Sequence, residues 1–173
     1  SYIIDTSFQR EISSSFATWE NMADIRFVKV PDSSFVDIRL GWANFDGRGG
    51  ILGETTIPTS GPLDNTIIVF DVDEDWFTGG DAPRHKIDFS ATAIHEIGHA
   101  IGIDHSNTNQ ALMHDSYNAT ILDLQQDDIN AVVAKYGAND SVKVSVHRFF
   151  NPTVGGHFFT ADFVEKGVVE NNE

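Results

Sequence analysis

The apolar positions of this chain alternate in some stretches and recur every three to four residues in others, and the switch of period marks its elements. Phe8, Ile12, Phe16 and Trp19 fall on one helical face, and Thr6 with Gln9 three residues on predicts a capping box at the start of that helix. Tyr2-Ile3-Ile4 predicts a short strand before it. Ile25 to Val30 alternates as a strand, with Ile25, Phe27 and Lys29 on one side. Phe35 to Trp42 and Ile51 to Ile57 repeat that pattern, and Thr66 to Phe70 is rich in β-branched residues. A helical pattern then starts near Asp88 or Ser90 and runs to Gly102. A last helix is predicted with Asp123 as cap and Gln126 three residues on; Ile129, Val132, Val133 and Tyr136 turn inward, and Gly137 stops it. The order of elements is that of an α+β domain.

The middle helical pattern carries chemistry. His95 and His99 stand at i and i+4, so both rings lie on one helix face and can aim at one point, with Glu96 beside them. Gly102 can take the left-handed conformation that ends a helix, and the chain can then return His105 to the same point. Three imidazoles leave one tetrahedral position of a zinc ion open to water, which is the catalytic arrangement. Zinc lowers the pKa of such a water towards ~7, and Glu96 is placed as general base and then general acid. Two histidines on one face are often an ordinary surface or core pair. The full spacing His95-Glu96-x-x-His99-x-x-Gly102-x-x-His105 is far more specific.

This motif resembles that of the metzincin zinc endopeptidases, which place a methionine-containing turn below the metal; Ala111-Leu112-Met113 follows at a suitable distance. Ser106 after the third histidine and Tyr117 four residues after Met113 resemble the matrixins, the matrix metalloproteinase family. The resemblance covers most of the chain, to about Gly137. It implies a metzincin fold, with a mostly antiparallel twisted five-stranded sheet, three helices, the zinc helix and the Met-turn. It also implies that the strand through Leu52 and Gly53 rims the cleft and receives an extended peptide by antiparallel addition. Asp115-Ser116-Tyr117 corresponds to the wall of the pocket for the residue after the cleaved bond, with small Ala91 facing it. Family members usually have proline where Asp115 stands. Asp127 and Asp128 match paired aspartates that in the family anchor the N-terminus and the Met-turn; helix N-terminal acids favoured by the macrodipole are the plain alternative.

A second constellation lies upstream. Phe45-Asp46-Gly47-Arg48-Gly49-Gly50-Ile51-Leu52 and Phe70-Asp71-Val72-Asp73-Glu74-Asp75-Trp76 resemble the two segments with which matrixins wrap a structural calcium. Carried over, Asp46, Asp71 and Glu74 supply side-chain oxygens and Gly47, Gly49 and Ile51 backbone carbonyls, a donor set that suits a hard cation. At least one calcium is expected. The family's second, structural zinc is not expected, because its two later ligand positions hold Glu54 and Val69 and the first histidine of the chain is His85. A second calcium is doubtful for the same kind of reason, since Asp37 matches one ligand but Ile67 replaces a carboxylate. One zinc per chain is therefore expected. His85 reads as solvated, and His114 as either a cleft or a turn residue.

Composition narrows partners more than fold. A formal net charge of −15 with 11 basic residues argues against nucleic acid and against charge-driven binding to anionic membranes. No apolar run approaches the ~20 residues of a membrane span. The start at Ser1 reads as a processed or trimmed form. A secreted monomer is expected. Zero cysteines excludes disulfides and a cysteine-based inhibitory switch within these residues.

Residues 1–137 are thus expected to form the catalytic domain and 138–173 an aromatic-rich extension. Ser141 to Val146 alternates as a strand. His147-Arg148-Phe149-Phe150-Asn151 and Gly156-His157-Phe158-Phe159-Thr160 are similar phrases whose phenylalanines need cover, either against the preceding domain or in a larger domain begun here. The expected function is a secreted zinc endopeptidase acting on proteins or peptides. The alternative is a catalytically silent metal-binding or adhesive module using the same cleft, and retention of Glu96 speaks for the enzyme.

Overall fold

A computed structural model describes residue 3 and residues 5–32, 36–56, 66–80, 82–139, 147–151 and 156–160. Helix α1, Thr6–Met22, is capped by Asp5 and not by Thr6. The Asp5 carboxylate accepts from Ser7 N (2.8 Å), while Gln9 Nε2 donates to Ile3 O (2.9 Å). The inward face is as the periodicity predicts. Trp19 is fully buried and its indole Nε1 donates to Ile94 O at 2.9 Å. Helix α2, Phe89–Ala100, lies against that face. Its mid-helix Gly98 has no room for a side chain, because a Cβ would come within 2.5 Å of Met113 Sδ and 2.8 Å of Trp19 Cζ2.

The sheet is smaller than expected among the described residues. It has three strands, β1 (Ile38–Ala43), β2 (Gly53–Thr56) and β3 (Thr66–Asp71), in the order β1-β3-β2. The mostly antiparallel five-stranded sheet is corrected to this mixed one: β1 pairs parallel with β3 from Ile38↔Thr66 to Ala43↔Asp71, and β2 pairs antiparallel with β3 from Gly53↔Phe70 to Thr56↔Ile67. Two short strands, β4 (Trp76–Phe77) and β5 (Ile87–Asp88), form a separate parallel pair.

The stretch from Ile25 to Val30 is described but joins no ladder. Its alternation is real, since Ile25 and Phe27 pack on the core while Val28 is 70% and Val30 53% exposed. Its amides are engaged elsewhere: Phe27 N donates to Glu20 Oε1 (2.6 Å) and Ile25 N to Ala23 O (2.8 Å). A period of two shows which side faces inward, whereas a strand also needs a partner. The strand expected at residues 2–4 lies largely outside the described residues.

The central strand β3 buries Thr66, Ile68 and Phe70. Phe70 meets Phe89 (ring centroids 4.7 Å apart), Trp76 (6.2 Å) and Trp42 (6.0 Å), and Phe8 of α1 closes the cluster edge-on against Phe89 (4.7 Å). Helix α3, Gln126–Tyr136, begins one turn detail away from expectation. Its N-cap is Gln125, whose N donates to Asp128 Oδ2 (2.7 Å), while the Asp123 carboxylate accepts from Leu124 N (2.8 Å). It ends at Gly137 with φ 82°, as predicted.

The chain divides into two compact units, Ser1–Asn139 and Asp140–Glu173. Asn139 N donates to Met22 O (3.2 Å), which ties the end of the first unit to α1. In the second unit the two aromatic phrases form an antiparallel pair, β6 (His147–Asn151) with β7 (Gly156–Thr160), in the register Phe149↔Phe158 and Phe150↔His157. The strand expected at residues 141–146 lies outside the described residues. No helix among the described residues is long and apolar enough to cross a membrane.

Candidate metal centre and cleft

Helix α2 owes its start to Asp88, whose carboxylate accepts from Ala91 N (2.9 Å) and Ser90 Oγ (2.8 Å). From that start the i, i+4 spacing brings His95 and His99 onto one face. Gly102, at φ 78°, ends the helix and Ile103 N returns to Gly98 O (2.9 Å), so the chain doubles back with His105. Helix α3 closes this turn, because Tyr136 OH donates to Ile101 O (2.7 Å) and Lys135 Nζ to Gly102 O (3.0 Å).

The three rings converge. Nε2 of His99 lies 3.1 Å from Nε2 of both His95 and His105, and the His95–His105 separation is 3.3 Å. His95 Nδ1 donates to Leu112 O (2.9 Å) and His99 Nδ1 to Ile103 O (2.8 Å). A carbonyl can only accept, so both Nδ1 atoms carry the proton and both Nε2 atoms present lone pairs. Burial pushes the pKa of His95 and of His99 below the ordinary histidine value, with neighbouring imidazoles acting in the same direction and the carbonyl contacts against it. Neutral rings are the ligand form.

The geometry fits zinc. A tetrahedron with edges of about 3.3 Å has its centre about 2.0 Å from each corner, the zinc–imidazole bond length. Among the described residues these three form the sole group of three or more His, Cys, Asp or Glu ligand atoms close enough to share an ion.

Glu96 is 6% exposed, and burial raises its pKa, opposed chiefly by a hydrogen bond from Thr55. Thr55 Oγ1 lies 2.7 Å from Glu96 Oε2 and 3.0 Å from Glu96 O. Sequence reasoning missed Thr55, since nothing local links β2 to a helix some forty positions on.

The histidines and Glu96 line a cleft of about 790 Å³ that also includes Leu52, Gly53, Ala91, Asp115, Ser116 and Tyr117. Every residue predicted for substrate contact is therefore on this cleft. Tyr117 OH accepts from Asp88 N (3.0 Å), which ties the cleft wall to the head of α2. His114 lines the cleft too, with its Nδ1 accepting from Ser116 N (3.2 Å). His85 is exposed.

Met113 is buried in a turn where Ser106 N donates to Met113 O (2.8 Å). Asp128 holds this turn: its carboxylate accepts from Leu112 N (2.9 Å) and Met113 N (3.0 Å) as well as from Gln125 N. It thus serves both as a helix-start acid and as an anchor. Asp127 accepts from Ser106 Oγ at 2.6 Å.

In the upstream constellation the two segments meet. Asp71 is fully buried and Glu74 is 9% exposed. Gly47 N donates to Asp71 Oδ2 (3.2 Å), Gly49 N to Glu74 Oε1 (2.6 Å) and Ile51 N to Asp46 Oδ1 (3.0 Å). At Gly50, not singled out from sequence, a side chain would displace the Asp46 carboxylate, which occupies the place of the Cβ. Glu54 and Val69 stand opposite one another across β2 and β3, Asp37 is exposed, and Ile67 is 44% exposed.

An α+β domain with a three-imidazole centre, a buried carboxylate beside it and an edge strand along the cleft defines a metallopeptidase domain. The family model of the matrixins matches residues 2–137, and the chain belongs to that zinc-dependent family. It is 32% identical to metalloendoproteinase 1 of Glycine max, over 79% of this chain and 48% of that protein. It is 34% identical to karilysin of Tannerella forsythia (79% and 30%) and 37% identical to matrix metalloproteinase-C of Caenorhabditis elegans (75% and 25%). The chain thus spans about half or less of the length of these relatives.

Proposed function

We propose that this protein is a secreted zinc endopeptidase that hydrolyses protein or peptide substrates in the cleft along β2. The observation that carries this reading is the convergence of three Nε2 atoms beside the buried carboxylate of Glu96. His95, His99 and His105 would hold the ion. When bound, zinc supplies a Lewis acid for the scissile carbonyl and acidity to a water. Glu96 takes the proton of that water on a carboxylate oxygen and passes it to the departing amine, so it serves as base and then as acid.

Substrate enters as an extended strand. β2 pairs with β3 on one side, and Leu52 and Gly53 lie on the cleft. Backbone pairing there leaves specificity to the pocket walled by Asp115, Ser116 and Tyr117 and backed by Ala91. Met113 and Gly102 have structural roles, as a floor for the centre and as the turn that returns His105.

The glycine-rich loop is read as a calcium site. Asp71 and Glu74 are buried acids whose recorded partners are backbone amides, not cationic side chains, and Asp46 closes the same loop. The three carboxylates do not form a ready-made group, so a divalent cation held with carbonyls of Gly47, Gly49 and Ile51 would draw them together as it neutralised that charge.

The test is Glu96→Ala. Zinc content and fold should be unchanged, while turnover of a peptide library, with cleavage sites mapped by mass spectrometry, should fall at least ~10²-fold. Near-normal turnover in the variant would sink the assignment.

A further inference from the structure

Strand β2 does more than border the cleft. Its alternate residues Gly53 and Thr55 face Glu96. Gly53 stands so close that a Cβ there would lie 3.0 Å from Glu96 Cγ and 3.1 Å from Oε1. Two residues further on, the Thr55 hydroxyl lies 2.7 Å from Oε2. The strand therefore bonds one carboxylate oxygen and leaves little room for a side chain beside the other.

We propose that Thr55 is a positioning residue for the proton-transferring carboxylate: its hydroxyl holds Glu96 Oε2 so that Oε1 is the oxygen offered to water. The inference rests on the peptidase reading and deepens it.

The hydroxyl has one proton and two acceptors within reach, Oε2 and the Glu96 carbonyl at 3.0 Å. A carboxylate accepts on all its lone pairs and donates nothing, so towards Oε2 the hydroxyl must donate. The shorter contact, to a charged acceptor, is the stronger. Among the described residues no protein donor is recorded on Oε1, which leaves that oxygen for the incoming proton. A helical glutamate has three rotatable side-chain bonds, and without a tether its carboxylate samples orientations that point neither oxygen at the substrate. A bond from the sheet across to the helix fixes that orientation, and Gly53 makes the approach possible by having no side chain.

The experiment uses Thr55→Val, which keeps shape and removes the hydroxyl, and Thr55→Ser, which restores it. Hydrogen bonds to charged groups are typically worth enough for a ten- to hundredfold effect, so Thr55→Val should lower kcat by about that factor with KM and zinc content near wild type. Thr55→Ser should recover most of the loss. A second readout does not depend on turnover: urea midpoints of wild type, Thr55→Val, Glu96→Ala and the double variant form a cycle that should show non-additive stability. Turnover of Thr55→Val within twofold of wild type overturns the proposal, as does failure of serine to rescue or strict additivity in the cycle. A wild type inert towards every peptide defeats the peptidase reading and this proposal together, whereas an active wild type with an indifferent Thr55→Val defeats this proposal alone.

Discussion

The histidine centre and the glycine-rich loop are both read as cation sites, and they are held together in opposite ways. At the centre, the nitrogens that do not face the ion are the ones tied to the protein: His95 Nδ1 to Leu112 O and His99 Nδ1 to Ile103 O. The metal-facing nitrogens lie within 3.1–3.3 Å of one another. In the loop, the oxygens proposed as ligands are themselves the anchors, accepting from Gly47, Gly49, Gly50, Ile51 and Asp73. An imidazole has a separate atom for each task, whereas a carboxylate must divide its lone pairs between scaffold and ion. The centre is therefore expected to keep its shape without metal and the loop to depend on what neutralises it.

Removing zinc gives the largest effect. Chelation that spares calcium should bring peptide hydrolysis to background, and added zinc should restore it. The near-ultraviolet circular dichroism of the zinc-free protein should stay close to that of the loaded form. Collapse of that signal would break the contrast, because the centre would then need its ion to assemble. Elemental analysis should give one zinc per chain.

Asp128→Ala attacks the scaffold behind the centre. It deprives three amides of their acceptor, at about 1–3 kcal/mol for each that stays buried and unpaired, so a loss of about 3 kcal/mol or more is expected in urea denaturation. Leu112 is also the residue whose carbonyl orients His95, so zinc affinity should fall about 10–100-fold. An unchanged zinc affinity would show that the centre does not depend on this turn.

The smallest of the three effects concerns the loop. Calcium at a hundred times its dissociation constant should stabilise the wild type by ~2.7 kcal/mol, read as a higher melting temperature. Asp71→Ala should melt at the same temperature with and without added calcium. Equal calcium responses in variant and wild type would reduce the loop to a turn closed by amide bonds alone.

The features legible in the sequence are those in which cause and effect lie within a turn or two of chain. The His95, His99, Gly102 and His105 spacing sets ring directions through helix period and one left-handed turn, and the structure brings those rings together. The inward faces of α1 and α3 follow from the same period. Other outcomes depended on which of several nearby groups reached a polar atom. Asp5 took the cap expected of Thr6, and Glu20 took the amide of Phe27, so an alternating segment stayed out of the sheet.

By itself, then, the sequence determined the convergence of His95, His99 and His105 and the faces that form the core, because periodicity and glycine conformation are local. Tertiary structure alone decided the parallel pairing of β1 with β3, the anchoring of the Met113 turn by Asp128 and the contact of Thr55 with Glu96. Each of these joins residues far apart in the chain, where no local preference selects the partner and only packing of the whole core brings donor and acceptor within reach.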